Sequence, residues 1–255
     1  MSFTTLTSKN ITIEKDRLYP EFNNVVVNGM TQSSVHFKDP AVLHPGHWST
    51  IGAVLNTLNL NTYKEVIHFG AAGMSIPRFL FEKHSSINQT VVDYDKELVE
   101  YVLQKFPLNN SANVDIIYGD AKEVISSNLI VKNKTFDIVF SDIYNEDTPA
   151  SYASSKEYLW SLKKLLNTDG VLIMNILDYS ILRTPSEPFS ESLKISALLK
   201  QEFEQVILLI DDKDITFRHF GNVILVASTS KVCDKILSDI KPSNEKILQA
   251  IIFNE

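Results

Sequence analysis

The sequence predicts an α/β fold: a mostly parallel sheet of about seven strands with helices on both faces. Three observations support it. From Val66 to Ser228, short runs rich in β-branched and aromatic residues alternate with stretches of helical period. That is the pattern of parallel strands joined by helical crossovers. Residues 1–45 lack the helical period and carry three β-like pieces, ITIE, NVVV and SVHF. The 255 residues, 44% hydrophobic and 22% charged, suffice for one full core with a small appendage. The chain therefore divides into a small N-terminal β element, residues 1–45, and a sheet domain, residues 46–255.

The elements follow in order. Asn28-Gly29 after NVVV is a hairpin turn signal. His47 to Leu58 reads as a helix leading into the sheet domain. Val66 to Phe69 is the first strand of that domain, and Gly70 and Gly73 frame the turn after it. Ser75 is placed to cap the next helix, and Pro77 is tolerated in its first turn. Asn88 to Val92 is the second strand, ending in Asp93. Val114 to Tyr118 is the third, followed by Gly119, Asp120 and Ala121. Phe136 to Asp142, FDIVFSD, is the fourth. Ser154 to Leu166 reads as a helix, Gly170 to Ile176 as the fifth strand, and Ser190 to Phe203 as a helix. Val206 to Ile210 and Asn222 to Ser228 are the sixth and seventh strands. No helical pattern separates them, so they should pair antiparallel. The tail, Val232 to Ile252, reads as one or two short helices.

Composition excludes several functions. The net charge is −7 and no Lys/Arg cluster is present, which argues against nucleic acid as a partner. The single Cys233 forms no internal disulfide and fits a reducing compartment. No apolar run approaches membrane-spanning length, and MSFTTLTSKN lacks a basic start and an apolar stretch. A cytoplasmic chain without membrane contact is expected, and the Asn133-Lys-Thr sequon is then accidental. His44 and His47 in HPGH have no evident third ligand, so no metal is expected. His68 on its strand reads as a core histidine. Trp48, Tyr144, Tyr152 and Trp160 are each either core or pocket lining. There is no G-x-S-x-G elbow for serine catalysis.

The chemistry should sit outside the carboxyl ends of the strands. After the first strand comes the turn Gly70, Ala71, Ala72, Gly73. Asp93 falls 23 residues after Gly70. A glycine turn followed by such an acid is the geometry of a nucleoside-binding βαβ unit, in which the acid takes ribose hydroxyls. Asp120 precedes a helix and is equally placed to cap it. Asp142 is followed by no helix, so capping does not account for it. Ala72 stands where a dinucleotide fingerprint needs a glycine, which disfavours NAD and favours a ligand with adenosine but no phosphates.

Taken together, GAAG, VVDYD, GDA and FDIVFSD resemble the spermidine synthase-like branch of the class I S-adenosylmethionine-dependent transferases. VVVNGMTQSS is similar to that group's hairpin, whose Gln reaches the nucleoside, and RHFGNVILVAS fits the same branch. The resemblance runs over roughly residues 24–228 and rests on motif order and spacing. It implies a Rossmann-like class I methyltransferase sandwich. Gly70, Ala71 and Gly73 would border the methionine-derived part of a donor. Asp93, with Tyr94 beside it, would hold the ribose. Asp120 would accept from the adenine amino group, with Ala121 packed nearby. Gln32 would touch the donor from the N-terminal side. Asp142 would be the catalytic acid, with Tyr144 as a second catalytic residue. The implied donor is S-adenosylmethionine or its decarboxylated form, without metal. The implied acceptor is a small amine, and a homodimer is compatible with the family. The transferred group is propyl-type or methyl. The alternatives are a small-molecule methyltransferase and a catalytically silent nucleoside-binding protein.

Two positions depart from the family pattern. A second acid is expected three residues after Asp142, where this chain has Asn145; Glu146 and Asp147 lie out of register. An acidic pair is expected after the Gln hairpin, where only Asp39 stands. Putrescine is therefore expected to be a poor acceptor.

Overall fold

The computed structural model describes residues 9–39, 41–109, 111–127, 130, 134–145, 148–178, 190–211, 221–243 and 247–252. Glu146, Asp147 and Asn133, named above, and the first three residues of RHFGNVILVAS, 218–220, lie outside them.

Three N-terminal strands, β1 (Ile11–Lys15), β2 (Phe22–Val27) and β3 (Met30–His36), form an antiparallel sheet in that order. Asn28 and Gly29 both take positive φ, 51° and 85°, as a two-residue hairpin turn requires. Helix α1 (His47–Thr57) follows. The central sheet then builds from β4 (Glu65–Phe69), α2 (Ser75–Lys83), β5 (Asn88–Asp93), α3 (Lys96–Lys105), β6 (Val114–Tyr118) and α4 (Ala121–Ser126). It continues through β7 (Phe136–Ser141), the two-residue strands β8 (Tyr144–Asn145) and β9 (Thr148–Pro149), α5 (Lys156–Leu165) and β10 (Leu166–Asp178). Helix α6 (Ser190–Leu199), β11 (Gln205–Asp211), β12 (Gly221–Ser228), α7 (Val232–Ser243) and β13 (Ile247–Ile252) complete it.

The central sheet has eight strands in the order β13-β11-β12-β10-β7-β4-β5-β6. Strands β10, β7, β4, β5 and β6 run parallel, while β12 pairs antiparallel with both β10 and β11. The expected antiparallel pair is therefore β11 and β12. The tail departs from expectation: after α7, the segment ILQAII is a strand, not a helix, and pairs antiparallel with β11. Its isoleucines suit a pleated ladder, and the unpaired edge of β11 offers the partner.

Alternate residues of the strands feed two cores. On one face Phe69, Val139, Leu172 and Leu208 pack with Tyr158 and Leu162 of α5 and Leu199 of α6. On the other, Val66, Ile138, Phe140 and Ile173 pack with Ile51 and Leu55 of α1, Phe79 of α2 and Ile236 of α7. The N-terminal sheet is fastened through Val25 and Val27, which pack on Leu98 and Val102 of α3. Among the described residues no helix is long and apolar enough to cross a membrane.

Strand order reverses between β4 and β7. From β4 the chain crosses outward to β5 and β6; from β7 it crosses the other way, to β10. At such a reversal the connections diverge and leave a crevice at the carboxyl ends of the strands.

Candidate active site

A cavity of about 310 Å³ fills that crevice. Gly70, Ala71 and Ala72 line its floor, Asp93, Tyr94 and Asp95 one end, and Asp142, Ile143 and Tyr144 the middle. Gln32 on β3 and Lys9, ahead of β1, close it from the N-terminal side.

Gly70 sits where β4 meets β7. Its φ is +80°, and a side chain there would overlap the Asp142 carbonyl, which lies against it. The Asp142 amide donates to Phe69 O at 2.8 Å, so the glycine turn and Asp142 are held as neighbours. Gly73 has a different task. It does not line the cavity, and a methyl there would stand 2.5 Å from Ser33 Oγ. It lets β3 close onto α2. Ser75 does not cap its helix as expected, since Met74 occupies that position in the left-handed region without a side-chain bond. The Ser75 hydroxyl instead donates to Ser34 O at 2.7 Å and lies 2.9 Å from Ser33 Oγ. Closing the hairpin against α2 satisfies it better than its own helix amides.

Gln32 owes its place to an irregularity. Val25 pairs with Ser33 and Val26 with Thr31, so Gln32 is the extra residue of a bulge. A bulge re-aims a side chain out of the strand's alternation, and here Gln32 lines the cavity.

The acids at the strand ends are all engaged. Asp93 is buried; its Oδ2 accepts from the amides of Ala71 at 3.0 Å and Ala72 at 3.2 Å, and its Oδ1 from Asp95 N at 2.9 Å. Burial raises its pKa, and these three bonds oppose the shift. A carboxylate has about four acceptor sites, so one remains for a ligand hydroxyl. Asp95 caps α3 through Leu98 N at 3.1 Å and receives the Lys9 ammonium at 2.6 Å. Asp120 is the cap the sequence allowed for: Oδ1 accepts from Lys122 N at 2.9 Å and Glu123 N at 3.3 Å. Its Oδ2 also accepts from Tyr152 OH at 2.8 Å, and both Asp120 and Ala121 line the cavity. Capping therefore does not remove Asp120 from the site.

Asp142 is perturbed in the same direction as Asp93. Its Oδ1 accepts from Asn175 Nδ2 at 2.9 Å. Burial drives its pKa up to about 6; the Asn175 bond opposes the shift, and the charge of Asp93 adds to it. Asn175 Oδ1 is buried without a partner. Tyr144 lines the cavity, but its hydroxyl donates to Asn175 O at 3.1 Å and accepts from Leu177 N at 2.7 Å. It props β10 beside Asp142, and its ring is what the cavity meets. Asn145, Trp48 and Tyr152 also line the cavity; Trp160 and Asp39 do not. Asp39 instead accepts from Ala41 N in its own turn, at 3.0 Å.

Sequence reasoning missed Lys9, a part-buried lysine just ahead of the first β-like piece. It missed Asn175 as the partner of Asp142, although a polar residue interrupting the apolar run GVLIMNI was a usable signal. His44, Nε2 3.3 Å from Asp16 Oδ2, joins the ring cluster of Tyr19, Phe22 and Trp48. Among the described residues no group of three His, Cys, Asp or Glu could hold a metal.

A family model, Spermine/spermidine synthase domain, matches residues 58–192, just over half of the chain. A curated polyamine aminopropyltransferase from Vibrio vulnificus is 25% identical over 117 residues, 46% of this chain and 39% of that protein. The match thus spans about two fifths of that relative's length. Among solved structures, a probable spermidine synthase from Corynebacterium glutamicum superposes with a TM-score of 0.74 at 19% identity, covering 96% of this chain and 88% of that one. Human methyltransferase-like protein 13, in complex with SAH, gives 0.57 at 18% identity over 76% and 92%. These two structures share the fold.

Proposed function

The chain belongs to the spermine/spermidine synthase family, and on that premise we propose that it transfers a propyl-type group from a decarboxylated S-adenosyl sulfonium donor to a small amine. The observation that carries this reading is Asp142: a carboxyl at the sheet's crossover point, its pKa raised to about 6, held by Asn175 and sharing a cavity with Asp93 and Asp120. The adenosyl end of the donor lies along Asp93, Tyr94, Asp120 and Ala121. The open acceptor site of Asp93 takes a ribose hydroxyl, and that of Asp120 the adenine amino group. Gly70 and Ala71 admit the sulfonium arm next to Asp142, with Gln32 opposite.

The amine nitrogen then attacks the carbon bonded to sulfur. The new C–N bond forms as the C–S bond breaks, and the electron pair returns to sulfur, leaving neutral methylthioadenosine. The proton lost by the amine passes to Asp142. A carboxylate with a pKa near 6 is charged at neutral pH yet basic enough to accept it, and orientation of the two reactants supplies much of the rate. Decarboxylated donor is favoured over S-adenosylmethionine itself because, among the described residues lining the cavity, the one lysine or arginine, Lys9, is already bound to Asp95.

Asp142→Asn tests the assignment. It should leave donor affinity within about threefold and lower turnover by about 10²-fold or more. Equal losses in both would move Asp142 into the donor site.

A further inference from the structure

Beyond the strand ends, the cavity reaches into a compartment between the sheet and the first turns of α1 and α2. His68 of β4 pairs in register with Phe140 of β7, and Phe140 with Ile173 of β10. These cross-strand neighbours line one face of the sheet and make the compartment's floor. The His68 and Phe140 rings lie parallel, centroids 4.9 Å apart. By strand alternation Asp142 and Asn175 belong to the same face, at the rim of this floor. His47, Trp48 and Ile51 of α1 form the roof, with the His47 and Trp48 rings 3.9 Å apart. Leu177 and Asn222, paired across β10 and β12, stand at the far side.

Both imidazoles are uncharged at neutral pH. Burial lowers His47 to about 3 and His68 to about 4. The Gln89 amide donates to Pro77 O at 3.0 Å, which turns Gln89 Oε1 to the Nε2–H of His68 at 2.9 Å. Among the described residues, Asp142 is thus the charged group at the rim of a compartment with aromatic and aliphatic walls.

We propose that this compartment receives the acceptor, and that the acceptor is a primary monoamine with an apolar body: its nitrogen at Asp142, its body over Phe140 and Ile173 and beneath Trp48. The inference rests on the transfer reading above and names the substrate class of that site. An apolar body gains by leaving water for these walls. A second ammonium in the same place would surrender its hydration against apolar and neutral partners.

Calorimetry on the complex with saturating methylthioadenosine tests it, with phenethylamine and putrescine as probes. Phenethylamine should bind about tenfold or more tighter than putrescine. Trp48→Ala should weaken phenethylamine by about tenfold while leaving methylthioadenosine affinity unchanged, which also certifies the fold. Asn222→Asp, which adds a carboxylate to the far wall, should tighten putrescine alone. Equal or tighter binding of putrescine by the unaltered protein overturns the inference, as does methylthioadenosine binding with neither amine following. If methylthioadenosine itself fails to bind, the transfer reading falls. The amines are then titrated on the protein alone, where the same preference supports the compartment's assignment and its absence overturns it.

Discussion

At the scale of single residues, Asp142 sets the pH behaviour. Its carboxyl titrates near 6 in the folded protein, against an ordinary value of 3.8. On the proposed mechanism the charged form is the proton acceptor, so turnover should fall as pH drops through about 6 and level off above it. A profile flat down to pH 5 would assign the proton to another group. The same shift has a stability consequence of opposite sense. Above pH 6 the carboxyl is ionised in both states and its burial charge is unfavourable only in the folded one; below about 4 it is neutral in both, and the penalty vanishes. Asp142→Asn should therefore be more stable than the unaltered protein by about 1–3 kcal/mol at pH 8, the gap closing as pH falls from 6 to 4. Thermal melts across that range check the sign. Asp93 carries two duties. Its bonds from the Ala71 and Ala72 amides brace the glycine turn, and on the proposed reading its remaining acceptor site takes the ribose. Asp93→Ala should weaken methylthioadenosine binding by about 10- to 150-fold, the worth of one hydrogen bond to a charged acceptor. Unchanged affinity would place the ribose elsewhere.

At the scale of elements, the hairpin of β2 and β3 reaches the cavity only because it closes onto α2. Gly73 leaves the room and Ser75 provides the bonds. Gly73→Ala would press a methyl 2.7 Å from Ser33 Cβ and 3.3 Å from Val35 Cγ2. It should destabilise the fold by about 1–3 kcal/mol and also weaken donor binding, because Gln32 moves with β3. A loss of stability with donor affinity intact would detach Gln32 from the donor. This coupling was hidden in the sequence. Gly73 and Ser75 read as turn and cap, because local rules cannot see that a strand forty residues earlier arrives to occupy both. The Asn28-Gly29 turn was legible because its chemistry is local. The tail strand Ile247–Ile252 was not, since short isoleucine-rich segments fit either period and only the bare edge of β11 decides.

At the scale of the molecule, alternation and the order of strand-end residues carried the fold. The strands from Val66 to Ser228 lie within a few residues of where periodicity puts them, because each buries a β-branched run. The candidate site was legible where it depends on strand ends: Gly70, Asp93, Asp120 and Asp142 line one cavity because parallel strands end on one side. It was not legible where it depends on crossings. Lys9, Asn175, Tyr152 and the His68–Phe140–Ile173 floor are brought in from distant segments by packing. The central claim, that this cleft splits a decarboxylated sulfonium on the propyl side, is tested most directly by mass spectrometry of the sulfur-containing product. The protein is supplied with both S-adenosylmethionine and its decarboxylated form, together with a panel of small amines. The account predicts methylthioadenosine, released from the decarboxylated donor in an amine-dependent way; S-adenosylhomocysteine, or no amine-dependent product from a donor that binds, would contradict it.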